Sequence, residues 1–152
     1  MMKVLFVCLG NICRSPMAEA ITRELVSKEG LSDKISVDSA GTGSWHVGEP
    51  PHQGTLKKLA EYSISADGLV ARQFSKKDIE DYDYIIGMDA SNIRNIQEAA
   101  GYPDHPNIIR LLDLTDNPKD VPDPYYTGDF QETYDLVSEG CRRLLEKIKQ
   151  EL

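Results

Sequence analysis

Cys8 and Arg14 enclose five residues in the stretch C-L-G-N-I-C-R-S, which follows directly on the apolar run Val4-Leu5-Phe6-Val7. A turn from a strand into a helix would use Gly10 and Asn11, both tolerant of left-handed backbone angles. It has no need of a thiol and a guanidinium. A loop that curls with its N–H groups inward cradles an anion, and the positive end of the following helix adds to the cradle. Arg14 supplies a planar fork for two oxygens of a phosphate. The same surroundings favour the thiolate of Cys8, and Ser15 is placed to donate a hydroxyl hydrogen bond to its sulfur. A thiolate aimed at bound phosphorus is a nucleophile for phosphoryl transfer. The substrate-binding loop on this reading is Leu9, Gly10, Asn11, Ile12 and Cys13. A nucleotide-binding loop of the form G-x-x-x-x-G-K-[ST] is excluded, because no Lys follows these glycines.

The elements that must position this loop alternate along the chain. Lys3–Val7 reads as a strand. Pro16 fits the first turn of a helix with Ser15 as its N-cap, and Met17, Ile21 and Leu25 repeat at four-residue spacing up to Gly30. Ile35–Ala40 reads as a second strand, Thr42 to His52 as a loop and Thr55 to Tyr62 as a helix. Tyr84 to Met88 is a third strand, followed by a helix capped by Asp89 and running to Ala100. Asn107–Leu112 is a fourth strand. A long loop rich in Asp and Pro spans Asp113 to Gly128, and loops of that length in compact domains usually carry function. Phe130, Tyr134, Val137, Cys141, Leu144 and Ile148 then keep a helical period, with Cys141 on the apolar face. Strand–helix alternation predicts an α/β fold with a mainly parallel sheet, as a single domain over residues 1–152. In such sheets ligands bind beyond the carboxyl ends of the strands, where Cys8 to Ser15 lies.

Composition narrows the partners. The 152 residues are 40% hydrophobic and 28% charged, with a net charge of -8. That charge argues against nucleic acid or an anionic membrane as partner, so an anionic ligand must be held by a local site. The first apolar run is too short for a signal peptide or a membrane anchor, and three cysteines make an odd number for a disulfide framework. The expected compartment is cytoplasmic. His46, His52 and His105 lack ligand spacing, so no metal and no cofactor are expected. Trp45, Tyr125 and Tyr126 offer aromatic faces on polar loops, suited to a flat ring arriving with its phosphate. A departing phenolate needs a proton. Asp113, Asp116, Asp120, Asp123 and Asp129 all lie in one neighbourhood, and spacing does not choose among them.

The run V-C-L-G-N-I-C-R-S-P-M-A-E-A resembles the low-molecular-weight protein tyrosine phosphatase family. The likeness continues through D-S-A-G-T at Asp38 to Thr42, W-H-V-G at Trp45 to Gly48 and A-R-Q at Ala71 to Gln73. It extends to M-D-A-S-N at Met88 to Asn92 and D-P-Y-Y at Asp123 to Tyr126. The resemblance implies a four-stranded parallel sheet with helices on both faces and the phosphate-binding loop after the first strand. It implies that Cys8 is the nucleophile, that Arg14 holds the phosphoryl group, and that Asp123 is the general acid. Asn11 and Ser39 would brace the loop, while Trp45, Tyr125 and Tyr126 would line the cleft. Cys13 would protect Cys8 from over-oxidation through a reversible disulfide. The implied substrates are phosphotyrosine proteins and small aryl phosphates, hydrolysed through a phosphocysteine intermediate. Three alternatives share parts of this pattern. An arsenate reductase needs further cysteines between the second and third strands, and Gly41 to Asp83 has none. A protein arginine phosphatase resembles this loop with Thr where Ile12 stands. A non-catalytic phosphate-binding module needs neither the thiol nor a leaving-group acid.

Overall fold

In the computed structural model, which describes residues 1–101 and 105–152, the N-terminal apolar run forms β1 (Met2–Cys8). Its side chains alternate between two cores. Val4, Phe6 and Cys8 face one, and Leu5 and Val7 face the other. A strand covered on both faces reads as an unbroken apolar run, which is why Val4 to Val7 shows no polar alternation. Among the described residues the sheet has four strands, all parallel, in the order β2 (Ile35–Gly41), β1, β3 (Tyr84–Gly87), β4 (Ile108–Arg110).

Helices cover both faces, as expected. On the Phe6 face, α1 (Arg14–Lys28) contributes Met17 and Ile21, and α2 (Gln53–Glu61) contributes Leu59. The C-terminal helix, numbered α6 (Phe130–Lys149), adds Val137, Cys141, Leu144 and Ile148 to that core. On the Leu5 face, α4 (Ala90–Ala100) contributes Ile96, with Phe74 and Ile108 beside it. Fully burying one such side chain stabilises the fold by about 1.5–3 kcal/mol. No helix among the described residues is long and apolar enough to cross a membrane. The neighbouring strands β1 and β3 feed α1 and α4 on opposite faces. Their connections therefore diverge and open a crevice at the carboxyl ends, with the Cys8–Arg14 loop in it.

Several elements differ from the sequence reading. Helix α1 starts at Arg14, with Cys13 in the cap position and no side-chain cap bond, so Ser15 is not the N-cap. Proline lacks only an N–H that the first turn leaves unpaired, so Pro16 does not fix the starting residue. The fourth strand is shorter than Asn107–Leu112, because Leu111 and Leu112 turn into a 3-10 helix (Leu111–Leu114) and bury in the main core. The long Asp/Pro loop contains a one-turn helix, α5 (Pro124–Thr127), and another single turn, α3 (Asp78–Asp81), precedes β3. One turn is too short to show a period. Asp89 caps α4 as expected, accepting from the Asn92 N–H at 2.7 Å while Asn92 accepts from the Asp89 N–H at 3.2 Å.

Candidate active site

The loop after β1 closes around the Cys8 sulfur. Asn11 takes φ 58°, a left-handed angle that Asn tolerates, while Gly10 stays out of that region. At Gly10 the missing side chain serves a close approach instead, since a Cβ would meet His46 Cδ2 at 3.1 Å. The Asn11 N–H donates to Cys8 Sγ at 3.3 Å, and Ser15 Oγ lies 2.9 Å from the same sulfur. The Asn11 side-chain amide donates to Ser15 Oγ at 2.8 Å and to Ser39 Oγ at 2.9 Å, and its carbonyl accepts from the Arg72 N–H at 3.0 Å. Ser39 in turn donates to Glu19 Oε1 at 2.6 Å.

This network has a direction. Both Asn11 amide hydrogens are spent on the two serines, so the Ser15 hydroxyl hydrogen is left for Cys8 Sγ at 2.9 Å or the Ala40 carbonyl at 3.5 Å. The shorter contact decides in favour of the sulfur. Glu19, only 7% exposed, has its carboxyl pushed up by burial, against the Ser39 hydrogen bond. The end of β2 is stitched to the loop as well, with Thr42 N–H donating to the Cys8 carbonyl and Gly43 N–H to the Leu9 carbonyl, each at 2.9 Å. A Cβ at Gly41 would stand 2.9 Å from the Leu9 carbonyl oxygen, so this approach requires glycine.

Arg14 is 2% exposed and oriented from behind. Its Nη1 donates to Asp89 Oδ2 at 2.7 Å and to the Val121 carbonyl at 2.9 Å, and Nη2 makes a longer contact to Asp123 Oδ2 at 3.4 Å. Nε is buried with no hydrogen-bond partner among the described residues. The Nε–Nη2 edge of the guanidinium is its side-on fork, and its one contact among the described residues is the long one from Nη2 to Asp123. Burial opposes the charge on Arg14, but the Cys8 sulfur, Asp89 and Asp123 outweigh it and raise its pKa.

A cavity of about 200 Å³ opens above the loop. Cys8, Leu9, Gly10, Ile12 and Cys13 line its base. Trp45, Tyr125 and Tyr126 line its walls, with Trp45 68% and Tyr126 75% exposed. Asn11, Arg14, Ser15 and Ser39 are buried and do not line it. Of the five loop acids, Asp123 alone lines the cavity. Asp113 and Asp120 pair with Arg110 at 2.8 and 2.9 Å, Asp116 pairs with Arg143 at 3.0 Å, and Asp129 caps α6 by accepting from the Glu132 N–H at 2.9 Å. Burial, followed by Asp123 and Cys8, pushes the Cys13 thiol up to about 12, so it keeps its proton near neutral pH. Cys141 is a core thiol, pushed up to about 12 by burial.

Sequence reasoning missed four residues. Asp89 was legible only as a cap, yet its second oxygen holds Arg14. Glu19 ends the serine network. Arg72, in the A-R-Q segment, ties Asp38 and Asp78 while its backbone braces Asn11. His46 lines the cavity beside Trp45 and contacts Glu49 at 3.2 Å. No spacing rule points to any of these roles, because each depends on contacts between distant segments.

Comparison with known proteins meets this geometry. Residues 3–152 match the model of the low molecular weight phosphotyrosine protein phosphatase family. The low molecular weight protein-tyrosine-phosphatase YfkJ of Bacillus subtilis is 55% identical, over 99% of this chain and 98% of its own. Its crystal structure superimposes at TM-score 0.97, over 99% of this chain and 96% of that one. The low molecular weight protein-tyrosine-phosphatase PtpA of Staphylococcus epidermidis is 48% identical over 97% of this chain and 94% of its own. DARP, a Drosophila arginine phosphatase, is 37% identical at TM-score 0.87, over 97% of this chain and 98% of that one. The chain belongs to the low molecular weight phosphotyrosine protein phosphatase family and is a cysteine-dependent phosphatase of that type.

Proposed function

We propose that Cys8 is the nucleophile, Arg14 the phosphoryl-binding residue and Asp123 the general acid in hydrolysis of phosphotyrosine in proteins. The Cys8 thiolate attacks phosphorus, the S–P bond forms, and the P–O bond to the phenol breaks as Asp123 gives its proton to the departing oxygen. Water then attacks the phosphocysteine, Asp123 takes the water's proton, and the S–P bond breaks to return thiolate and free phosphate. The loop N–H groups and Arg14 hold the equatorial oxygens throughout, where charge-aimed donors act most strongly on the transition state. Ser15 and Asn11 hold the sulfur, Ser39 supports Asn11, and no metal or cofactor takes part. The observation that carries this reading is the buried Arg14, whose Nη1 is fixed by Asp89 and Val121 while Nε has no partner among the described residues and Nη2 has only the 3.4 Å contact to Asp123, in the same loop as a sulfur held by two donors.

Ile12 at the base and Trp45, Tyr125 and Tyr126 at the walls suit an aromatic ring, which favours phosphotyrosine over phosphoarginine. Cys13 acts as a resolving thiol. When Cys8 is oxidised to a sulfenic acid, Cys13 sulfur attacks it, water leaves, and the disulfide shields Cys8. Residues 1–152 work as a single phosphatase domain, in the cytoplasm, on phosphotyrosine proteins. Cys8→Ser tests the core of this reading. Turnover of a phosphotyrosine peptide is lost while phosphate binding and the fold persist, and acid quench of the wild type traps phosphate on Cys8. Substantial turnover by the serine variant would sink the mechanism.

A further inference from the structure

The long loop that carries Asp123 is fastened at its upstream end by a contact outside the cavity. Asp120 Oδ1 accepts two hydrogen bonds, from the Ala90 N–H at the start of α4 and from Arg110 Nη1 at the end of β4, both at 2.9 Å. Arg110 is itself held by Asp113, through Nε at 3.0 Å and Nη2 at 2.8 Å. One residue further on, the Val121 N–H donates to the Met88 carbonyl at 2.9 Å, and the Val121 carbonyl receives Arg14 Nη1 at 2.9 Å. Two residues later comes Asp123, whose Oδ1 accepts from the Tyr125 N–H at 3.1 Å and whose Oδ2 reaches toward Arg14. Asp120 is thus the first point at which the chain returning from the exposed Asp116–Lys119 stretch is tied to two sheet-end elements. Burial works against the charge of Asp120, but the Ala90 N–H and Arg110 outweigh it and hold its carboxyl below the ordinary aspartate value.

We infer that Asp120 and Arg110 form a positioning clamp for the general acid, fixing where Asp123 presents its proton. The inference rests on the assignment of Asp123 made above. An isolated exposed ion pair contributes little. Here, however, one carboxylate oxygen joins a backbone N–H, a guanidinium and the acid-bearing segment, which makes the pair a matter of placement. Misplacing a reacting group by about 1 Å costs on the order of 10²-fold. The tie at Val121 remains when Asp120 is cut, so the loss should be smaller than that.

Leaving-group dependence separates positioning from general stabilisation. The acid matters when the departing oxygen is a poor leaving group, as in phosphotyrosine, and little for an aryl phosphate whose phenol is strongly acidic. Asp120→Ala should lower kcat/KM on a phosphotyrosine peptide by roughly 5- to 20-fold, a fraction of the 10²–10⁴ that a general acid supplies. On the activated aryl phosphate it should change kcat/KM by less than about twofold. Asp120→Asn keeps an oxygen for the Ala90 N–H and for Arg110, and should restore most of the loss. Arg110→Ala should show the same selectivity at smaller size, and serves if Asp120→Ala does not fold. In an Asp123→Asn background, Asp120→Ala should add nothing on either substrate.

Asp123→Asn is run beside them. If it is selective for the poor leaving group while Asp120→Ala and Arg110→Ala are silent, the clamp is overturned and the acid assignment stands. An equal loss on both substrates with Asp120→Ala also overturns the clamp. It would mean that Asp120 acts through the start of α4 on Asp89 and Arg14, which every phosphoryl transfer uses. If Asp123→Asn is itself indifferent to the leaving group, the acid assignment falls and the clamp falls with it.

Discussion

Replacing Arg14 with lysine keeps a positive charge and removes the fork, so it isolates geometry from charge. Nη1 is committed to Asp89 at 2.7 Å and to the Val121 carbonyl at 2.9 Å, and Nη2 has only the 3.4 Å contact to Asp123, so on the proposed function the Nε–Nη2 edge takes two phosphoryl oxygens. A lysine ammonium is one point with three hydrogens. If it satisfies Asp89 and Val121, one hydrogen remains for the phosphoryl group. If it turns to the phosphoryl group, Asp89 is left without its cation. Either way one or two charge-assisted bonds are lost from the transition state. At about 1.5–3 kcal/mol per bond, the loss is about 1.5–6 kcal/mol, or roughly 10- to 20,000-fold in kcat/KM. The assay is kcat/KM on a phosphotyrosine peptide, with inhibition by inorganic phosphate measured in parallel. Inhibition should weaken less than turnover, because the fork fits the equatorial oxygens of the transferring group better than those of free phosphate. A lysine variant that keeps more than about a tenth of wild-type kcat/KM would show that charge alone suffices, and the geometric argument would be wrong.

Two further outcomes follow from the buried groups. Glu19 has a raised folded-state pKa, so the folded protein takes up a proton before the unfolded chain does. Wild type should therefore gain stability relative to Glu19→Gln as pH falls through the folded value toward the unfolded one near about 4.3. Parallel Tm values for the two proteins across that window would contradict it. Cys13→Ser should recover a smaller fraction of its own starting activity than wild type does when peroxide treatment is followed by a thiol reductant. Equal fractions would remove Cys13 from the protective role.

The candidate nucleophile and its loop were legible because they are contiguous. Strand end, thiol, left-handed residue, arginine and helix start occupy eight positions, and each has a local physical signature. The alternation of strands and helices was legible for the same reason, through apolar runs and caps. Illegible features depend on contacts between distant segments. Five aspartates share one loop, and only their pairing with Arg110, Arg143 or the start of α6 leaves Asp123 alone at the cavity. Asp89 carries a complete capping signature that accounts for one of its oxygens and conceals the other. Leu111 and Leu112 extend an apolar run that periodicity reads as strand, yet they turn into a 3-10 helix because the core beside α6 takes them. Short apolar runs do not distinguish these outcomes.

The acidity of the protein and the chemistry of the site are compatible because they act over different distances. A net charge of -8 repels any phosphorylated ligand at long range, but salt screens that field within about 8–10 Å. On the proposed function the attraction inside the loop comes from N–H groups, which carry no net charge, and from one buried guanidinium. Asp89 takes part of that guanidinium's charge, and this looks wasteful for a site that must hold an anion. Its effect is to hold Nη1, so the side-on edge of Arg14 is already set before a ligand arrives. Preorganised donors of this kind favour the geometry of transfer over that of a resting phosphate. A site built on bare positive charge would bind every polyanion and release its own product slowly. On the proposed function the positive charge is single, buried and aimed, and selectivity would rest on the fit of the phosphoryl oxygens to the loop and of the ring to Trp45, Tyr125 and Tyr126, which line the cavity.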